Sequence, residues 1–131
     1  MITVNNKEEL KALINQRIEE QGPNCDLNDI DVSGIVDMSL LFFNTDFNGD
    51  ISNWDVSNVR DMSFMFCRSK FNGDISRWDV TNVVDMRFMF FMSMFKGDIS
   101  DWDVQEDTNM ESMFRESTLE LNGKTPNWYN E

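Results

Sequence analysis

Phe47-Asn48-Gly49-Asp50-Ile51-Ser52-Asn53-Trp54-Asp55-Val56 returns 24 residues later as Phe71-Asn72-Gly73-Asp74-Ile75-Ser76-Arg77-Trp78-Asp79-Val80. After the same step, Asp98-Ile99-Ser100-Asp101-Trp102-Asp103-Val104 repeats its second half. The segment that follows keeps the period. Asp61-Met62-Ser63-Phe64-Met65-Phe66 becomes Asp85-Met86-Arg87-Phe88-Met89-Phe90, then Asn109-Met110-Glu111-Ser112-Met113-Phe114. A fixed period in this range signals a repeat architecture, in which one unit cannot bury its apolar face alone and stacks on the next. A residue type that recurs at one phase is therefore first an element of the stack and only second a candidate for chemistry.

Within a copy, Ile51-x-x-Trp54-x-Val56 has leucine-rich-repeat spacing. It predicts a short strand with Trp54 and Val56 turned inward and Asn53, Asp55 and Ser57 outward. Residues 61–68 read as a short helical or 3₁₀ segment burying Met62, Met65 and Phe66, and Asn48-Gly49 as a return turn using positive φ. The period reaches back to a degenerate first copy, with Ile30 in the Trp position. It reaches forward to Leu121-Asn122-Gly123-Lys124-Thr125-Pro126-Asn127-Trp128, which echoes the Phe47 stretch with two inserted residues. Pro126 cannot donate to a ladder, which suits a terminal edge. Ahead of the repeats, Ile2-Thr3-Val4 predicts a strand. Asn6 followed by Glu9 predicts a capped helix with Leu10, Leu13, Ile14 and Ile18 on one face and Lys11 among the residues pointing away, stopped by Gly22-Pro23. The expectation is one domain over 1–131: an amphipathic cap helix in 1–23, repeats in 24–116, and a degenerate repeat with C-terminal cap in 117–131.

The net charge is −13, there is no histidine, and 11 Phe, 10 Met and 4 Trp make the apolar part bulky. Residues 1–23 are nearly neutral, so the acid lies in the repeats. That surface repels nucleic acid and anionic membrane and attracts a basic partner. The longest apolar run, Phe88 to Met92, is far too short to span a membrane. The first ten residues lack the basic and apolar regions of a signal peptide, so a cytoplasmic location is expected. Cys25 and Cys67 sit at different phases, lack CxxC spacing and have no His nearby, so two free thiols and no zinc site are expected.

The motif FNGDISxWDVSxVxDMSxMF, over about residues 24–128, resembles the bacterial surface protein repeat family of BspA-like leucine-rich-repeat proteins. The resemblance implies a right-handed solenoid of four to five α/β turns, used for binding or adhesion and often found on secreted, surface-exposed proteins.

Three constellations follow. Asp31, Asp55, Asp79 and Asp103 share one phase, and Asp26, Asp50, Asp74 and Asp98 another. Carboxylates one strand spacing apart, about 4.8 Å, repel by roughly 1 kcal/mol in water. Repeating them needs compensation, which a backbone N–H accepted within each turn would supply; a negative strip for a basic partner and calcium between turns are the alternatives. Met38, Met62, Met86 and Met110, with Phe42, Phe66, Phe90 and Phe114, read as core. The third constellation is where the copies diverge. Asn53, Arg77 and Asp101, then Ser57, Thr81 and Gln105, flank Asp55, Asp79 and Asp103 on the strand face, and these nine are the candidate protein-binding residues. Cys67-Arg68-Ser69-Lys70 becomes Phe91-Met92-Ser93-Met94, and with Phe64 and Phe88 this is a candidate apolar interface for dimerisation or docking; the alternative is a bend that buries it.

No phosphate loop, Ser/His/Asp set or differentiated acid/base pair is present, so no catalysis, metal or cofactor is expected. The reading is a non-catalytic module presenting an acidic face to a protein partner. The alternatives are an acidic nucleic-acid mimic that inhibits a DNA-binding enzyme, as in phage anti-defence, and a fragment of a surface adhesin.

Overall fold

The computed structural model describes residues 1–130. Its regular elements are β1 (Ile2–Thr3), α1 (Lys7–Gln21), β2 (Ile30–Asp31) and α2 (Thr118–Leu121). The two strands pair in parallel, Ile2 opposite Ile30 and Thr3 opposite Asp31. The expected right-handed leucine-rich-repeat-like solenoid of strand–helix turns is therefore corrected. Among the described residues there is one two-stranded sheet, no strand or helix recurs with the 24-residue copies, and most of the chain is turn or irregular backbone.

The reason is where the backbone N–H groups go. In 51–59 the Trp54 N–H turns back to the Ile51 carbonyl and the Val59 N–H to Val56. The Asp50 and Asp55 carboxylates take the N–H groups of Ser52 and Ser57. Local side-chain acceptors of this kind compete with a ladder, and here they win. In 61–69, Met62, Phe64, Phe66 and Arg68 donate to the carbonyls of Asp85, Arg87, Met89 and Phe91 in the next copy, while Met65, Cys67 and Ser69 close three-residue turns onto Met62, Phe64 and Phe66. Phe64 and Arg68 hold φ of 57° and 55°, the left-handed values of a type II turn corner, which no α-helix contains. The Met62, Met65, Phe66 spacing mimics a helix face but is made by successive tight turns.

Positive φ recurs at Leu40, Phe64, Phe88 and Ser112, and again at Asn44, Arg68, Met92 and Glu116. It does not fall at Gly49, where the sequence placed it. Gly49 is needed for closeness instead: a Cβ there would collide with the Cys25 carbonyl and stand 2.7 Å from the Phe47 ring.

Successive copies are joined by side chains as well as backbone. The indole N–H of Trp54 donates to the Leu27 carbonyl at 2.9 Å, Trp78 to Ile51 at 3.1 Å, Trp102 to Ile75 at 2.9 Å and Trp128 to Ile99 at 2.9 Å. Phe42, Phe66, Phe90 and Phe114 stack in line with ring centroids 5.6, 5.5 and 5.4 Å apart. Phe47, Phe71 and Phe95 form a second column. All seven rings are fully buried. The expected core of repeated Met and Phe is present, apart from Met110, which is half-buried and packs against its margin.

The helix is as the sequence implies in its capping. The Asn6 side chain accepts from the Glu9 N–H, and Gly22, at φ 89°, returns its N–H to Ile18. Leu10 and Ile14 are buried, with Leu13 and Ile18 packed beside them. Lys11 does not point away: its Nζ donates to the Leu41 carbonyl at 2.6 Å. With Lys7–Asp37 at 3.1 Å and Arg17–Asp29 at 2.7 Å it ties α1 to the first copy.

Two substitutions test this wiring. Trp102→Phe removes one of the two donors to the Ile75 carbonyl, which keeps the Trp78 N–H, and should cost about 1 kcal/mol in urea unfolding, the net worth of one buried hydrogen bond; a loss below about 0.5 kcal/mol would contradict it. At the left-handed Leu40, Gly should be more stable than Val by upwards of about 1 kcal/mol, because a β-branched residue is strongly disfavoured at positive φ.

Candidate functional site

The stacked carboxylates explain themselves locally. Asp50, Asp74 and Asp98 each accept both the N–H and the hydroxyl of the Ser two residues on, with hydroxyl distances of 2.7, 2.7 and 2.6 Å. Asp31, Asp55 and Asp79 do the same with Ser33, Ser57 and Thr81. The hydroxyls of Ser57 and Thr81, read from the sequence as binding positions, are thus engaged in locking their own turns. Asp103 is followed by Gln105, which has no hydroxyl to offer and lies exposed. These bonds hold carboxyls in the charged form. The Ser and Thr hydroxyls, with the accompanying N–H groups, set Asp31, Asp50, Asp74, Asp79 and Asp98 below the usual carboxylate range.

Asn53, Arg77 and Asp101 are all exposed at one phase, and the Arg77 guanidinium donates to the Asn53 side chain at 3.2 Å. Asp55, Asp79 and Asp103 are exposed beside them. Of the nine candidate binding residues the structure leaves seven exposed and Ser57 and Thr81 half-buried, and it joins Asn53 directly to Arg77. Asp26, Asp50, Asp74 and Asp98 are exposed as well. Arg77 is a cation of this ridge, and Lys96 stands beside Asp74, Asp98 and Asp101.

The second candidate set lies on the turn-rich segments. Phe64 and Phe88 stack at 4.8 Å, and Phe91 meets Phe88 edge-on at 5.4 Å. These three rings are half-buried, whereas Met92 is 43 % and Met94 56 % exposed. No bend hides the methionines. Sequence reading missed the extent of this face: Val36, Leu40, Phe43 and Val84 are also exposed, at the phases of Arg60, Phe64, Cys67 and, again, Arg60. It also missed that Arg60, Arg87 and Arg115 fall on these segments with Arg68 and Lys70. Aligning positions 36–46, 60–70, 84–94 and 108–118 by phase was the available signal.

Both cysteines are free and buried, and burial raises both thiols above their ordinary range. Among the described residues no three His, Cys, Asp or Glu side chains converge as a metal site, and no helix is long and apolar enough to cross a membrane.

Residues 9–128 match the family described as Mycoplasma protein of unknown function, DUF285, a BspA-like repeat family. No curated protein and no solved structure matches the chain.

The turn-locking bonds carry a pH consequence. A carboxyl whose folded pKa lies below its unfolded value contributes stability that is whole above the unfolded value and is lost as pH falls through the folded one. Ser76→Ala should move the Asp74 carboxyl titration upward in an NMR pH series. An unmoved titration would show that the Ser76 bonds do not hold the charge.

Proposed function

Because the chain belongs to the DUF285 family, a family without an assigned function, we propose its role from its surfaces: a non-catalytic module that presents the acidic ridge to a basic protein partner. The observation that carries this reading is the fixed display of the ridge. Asp55 and Asp79 are each held by two bonds within their turns, so the exposed carboxylates stand at set positions and lose little freedom on binding. The side chains that differ between copies, Asn53, Arg77 and Asp101, stand among them and supply selectivity. Complementary charge of this kind speeds encounter and chooses partners. We read the 24-residue unit as the family's repeat, and the buried free thiols fit a reducing, cytoplasmic setting.

Neutralisation without unfolding is available because Asn can make the same turn. Asn109 already accepts the Glu111 N–H at a position that other copies fill with Asp. Asp55→Asn, Asp79→Asn and Asp103→Asn together should leave the thermal midpoint within a few degrees. They should abolish salt-sensitive capture of basic proteins from the native host. Capture that survives both the triple change and high salt would overturn the reading. Competition by duplex DNA for the captured protein would mark it as a nucleic-acid-binding enzyme and the ridge as a mimic.

A further inference from the structure

The apolar segments form a different face from the acidic ridge, and their chemistry is self-complementary. Asn44, Arg68, Met92 and Glu116 occupy one phase of four successive copies with nearly equal backbone, φ 52°, 55°, 54° and 57°. The Arg68 N–H bonds the Phe91 carbonyl and the Met92 N–H the Arg115 carbonyl, so Arg68, Met92 and Glu116 stand in line with Met92 at the centre. Arg68, Met92 and Glu116 are exposed. Among the described residues neither Arg68 nor Glu116 takes part in an ion pair, whereas the neighbouring Arg87 is paired with Asp85 and Lys70 with Asp46. Beside the column, Phe88, Phe91 and the exposed Met94 continue the apolar surface at the same level.

We infer that this face binds a second copy of the chain. A two-fold axis lying in the interface, crossing the column at Met92, makes the arrangement isologous. It sets Met92 against the partner's Met92 and the Phe88–Phe91 pair against its equivalent. It reverses the column, so that Arg68 of each copy faces Glu116 of the other. The symmetry therefore creates two opposite-charge contacts flanking an apolar centre, and it places Lys70 opposite Thr118 rather than another cation. A column with cations on both sides of Met92 would oppose self-association; this one has one of each sign. Aromatic and Met side chains at the centre with charges at the edge are the usual composition of a protein interface. The apolar exposure that the copy-to-copy substitutions create at Met92 and Met94 is covered by the same substitutions in the second copy. Docking here leaves the acidic ridge of both copies accessible, so this inference stands or fails independently of the proposed partner.

Sedimentation equilibrium from micromolar to millimolar chain concentration tests it. The unaltered protein should show a reversible monomer–dimer equilibrium. Arg68→Glu or Glu116→Arg alone places like charges at both flanking contacts and should weaken dimerisation at least about tenfold, since like-charge juxtaposition across an interface costs several kcal/mol. The double variant Arg68→Glu with Glu116→Arg restores opposite charge and should return the dissociation constant to near that of the unaltered chain. Both positions are exposed, and an unchanged circular dichroism spectrum in the double variant establishes that the fold is kept. Three results overturn the inference: a strictly monomeric protein throughout, whose face then serves another partner; a dimer indifferent to both single changes; or a double variant no tighter than the singles.

Discussion

The structure depends on one bond made four times: a Trp indole N–H reaching the carbonyl of the preceding copy, from Trp54, Trp78, Trp102 and Trp128 to Leu27, Ile51, Ile75 and Ile99. Between Ile51 and Val59 the N–H groups of Ser52, Trp54, Ser57 and Val59 close turns within their own copy and that of Asn53 goes to the Asn28 side chain, so no strand ladder is there to join one copy to the next. The indole supplies that link as a second donor to a carbonyl that already closes a turn in its own copy, Leu27 with Ile30, Ile51 with Trp54, Ile75 with Trp78 and Ile99 with Trp102. It also fixes the register. Three of the four indoles stack in line, Trp78 on Trp102 at 6.4 Å and Trp102 on Trp128 at 6.2 Å, while Trp54 stacks on Phe42. On the other side the link changes kind: alternate N–H groups from Met62 to Arg68 bond the following copy directly.

This division of labour assigns the rest of the chain its freedom. Positions that stack, such as Phe66 with Phe42 and Phe90, cannot vary. Glycine at 49 and 73 is fixed by the closeness of the rings at Phe47 and Phe71. The side-chain oxygens at 50, 55, 74 and 79 are held by the turns they close, a role that Asn also fills at 109. What remains is the outward side chain at 53, 77 and 101 on the acidic face, and at 68, 92 and 116 on the apolar one. Two surfaces of opposite character result, one carrying clustered negative charge and the other most of the repeat's arginines and its exposed methionines.

Much of this was legible in the residues. Period, buried ladder, the capping of α1 by Asn6, the locally satisfied Asp turns and the Trp of the last copy at a two-residue offset can all be read from spacing. The regular elements could not. Ile51-x-x-Trp54-x-Val56 buries the residues a strand would bury, and Met62, Met65, Phe66 those a helix would. Burial periodicity alone does not distinguish these from tight turns. The decisive fact is positive φ at Phe64 and Arg68, and neither residue type announces it. Lys11 was misread because a long side chain can cross from a polar helix position to a carbonyl on a neighbouring segment. The apolar face was half visible, as Met92 and Met94 replacing Arg68 and Lys70. Leu40 and Val84 emerge only when the turns show which residues of a core-like run face outward.

Hydrogen exchange of the four indole N–H protons, followed by NMR in the folded protein, tests the central claim most directly. If the indoles join the copies, the protons of Trp54, Trp78 and Trp102 exchange only through opening of the stack, with protection close to that of the slowest backbone amides. Trp128, half-buried at the last copy, exchanges sooner. Exchange of all four at the rate of a free indole would contradict the account and leave the copies held by their rings, their backbone and the side chains of Asn58, Asn82 and Thr108.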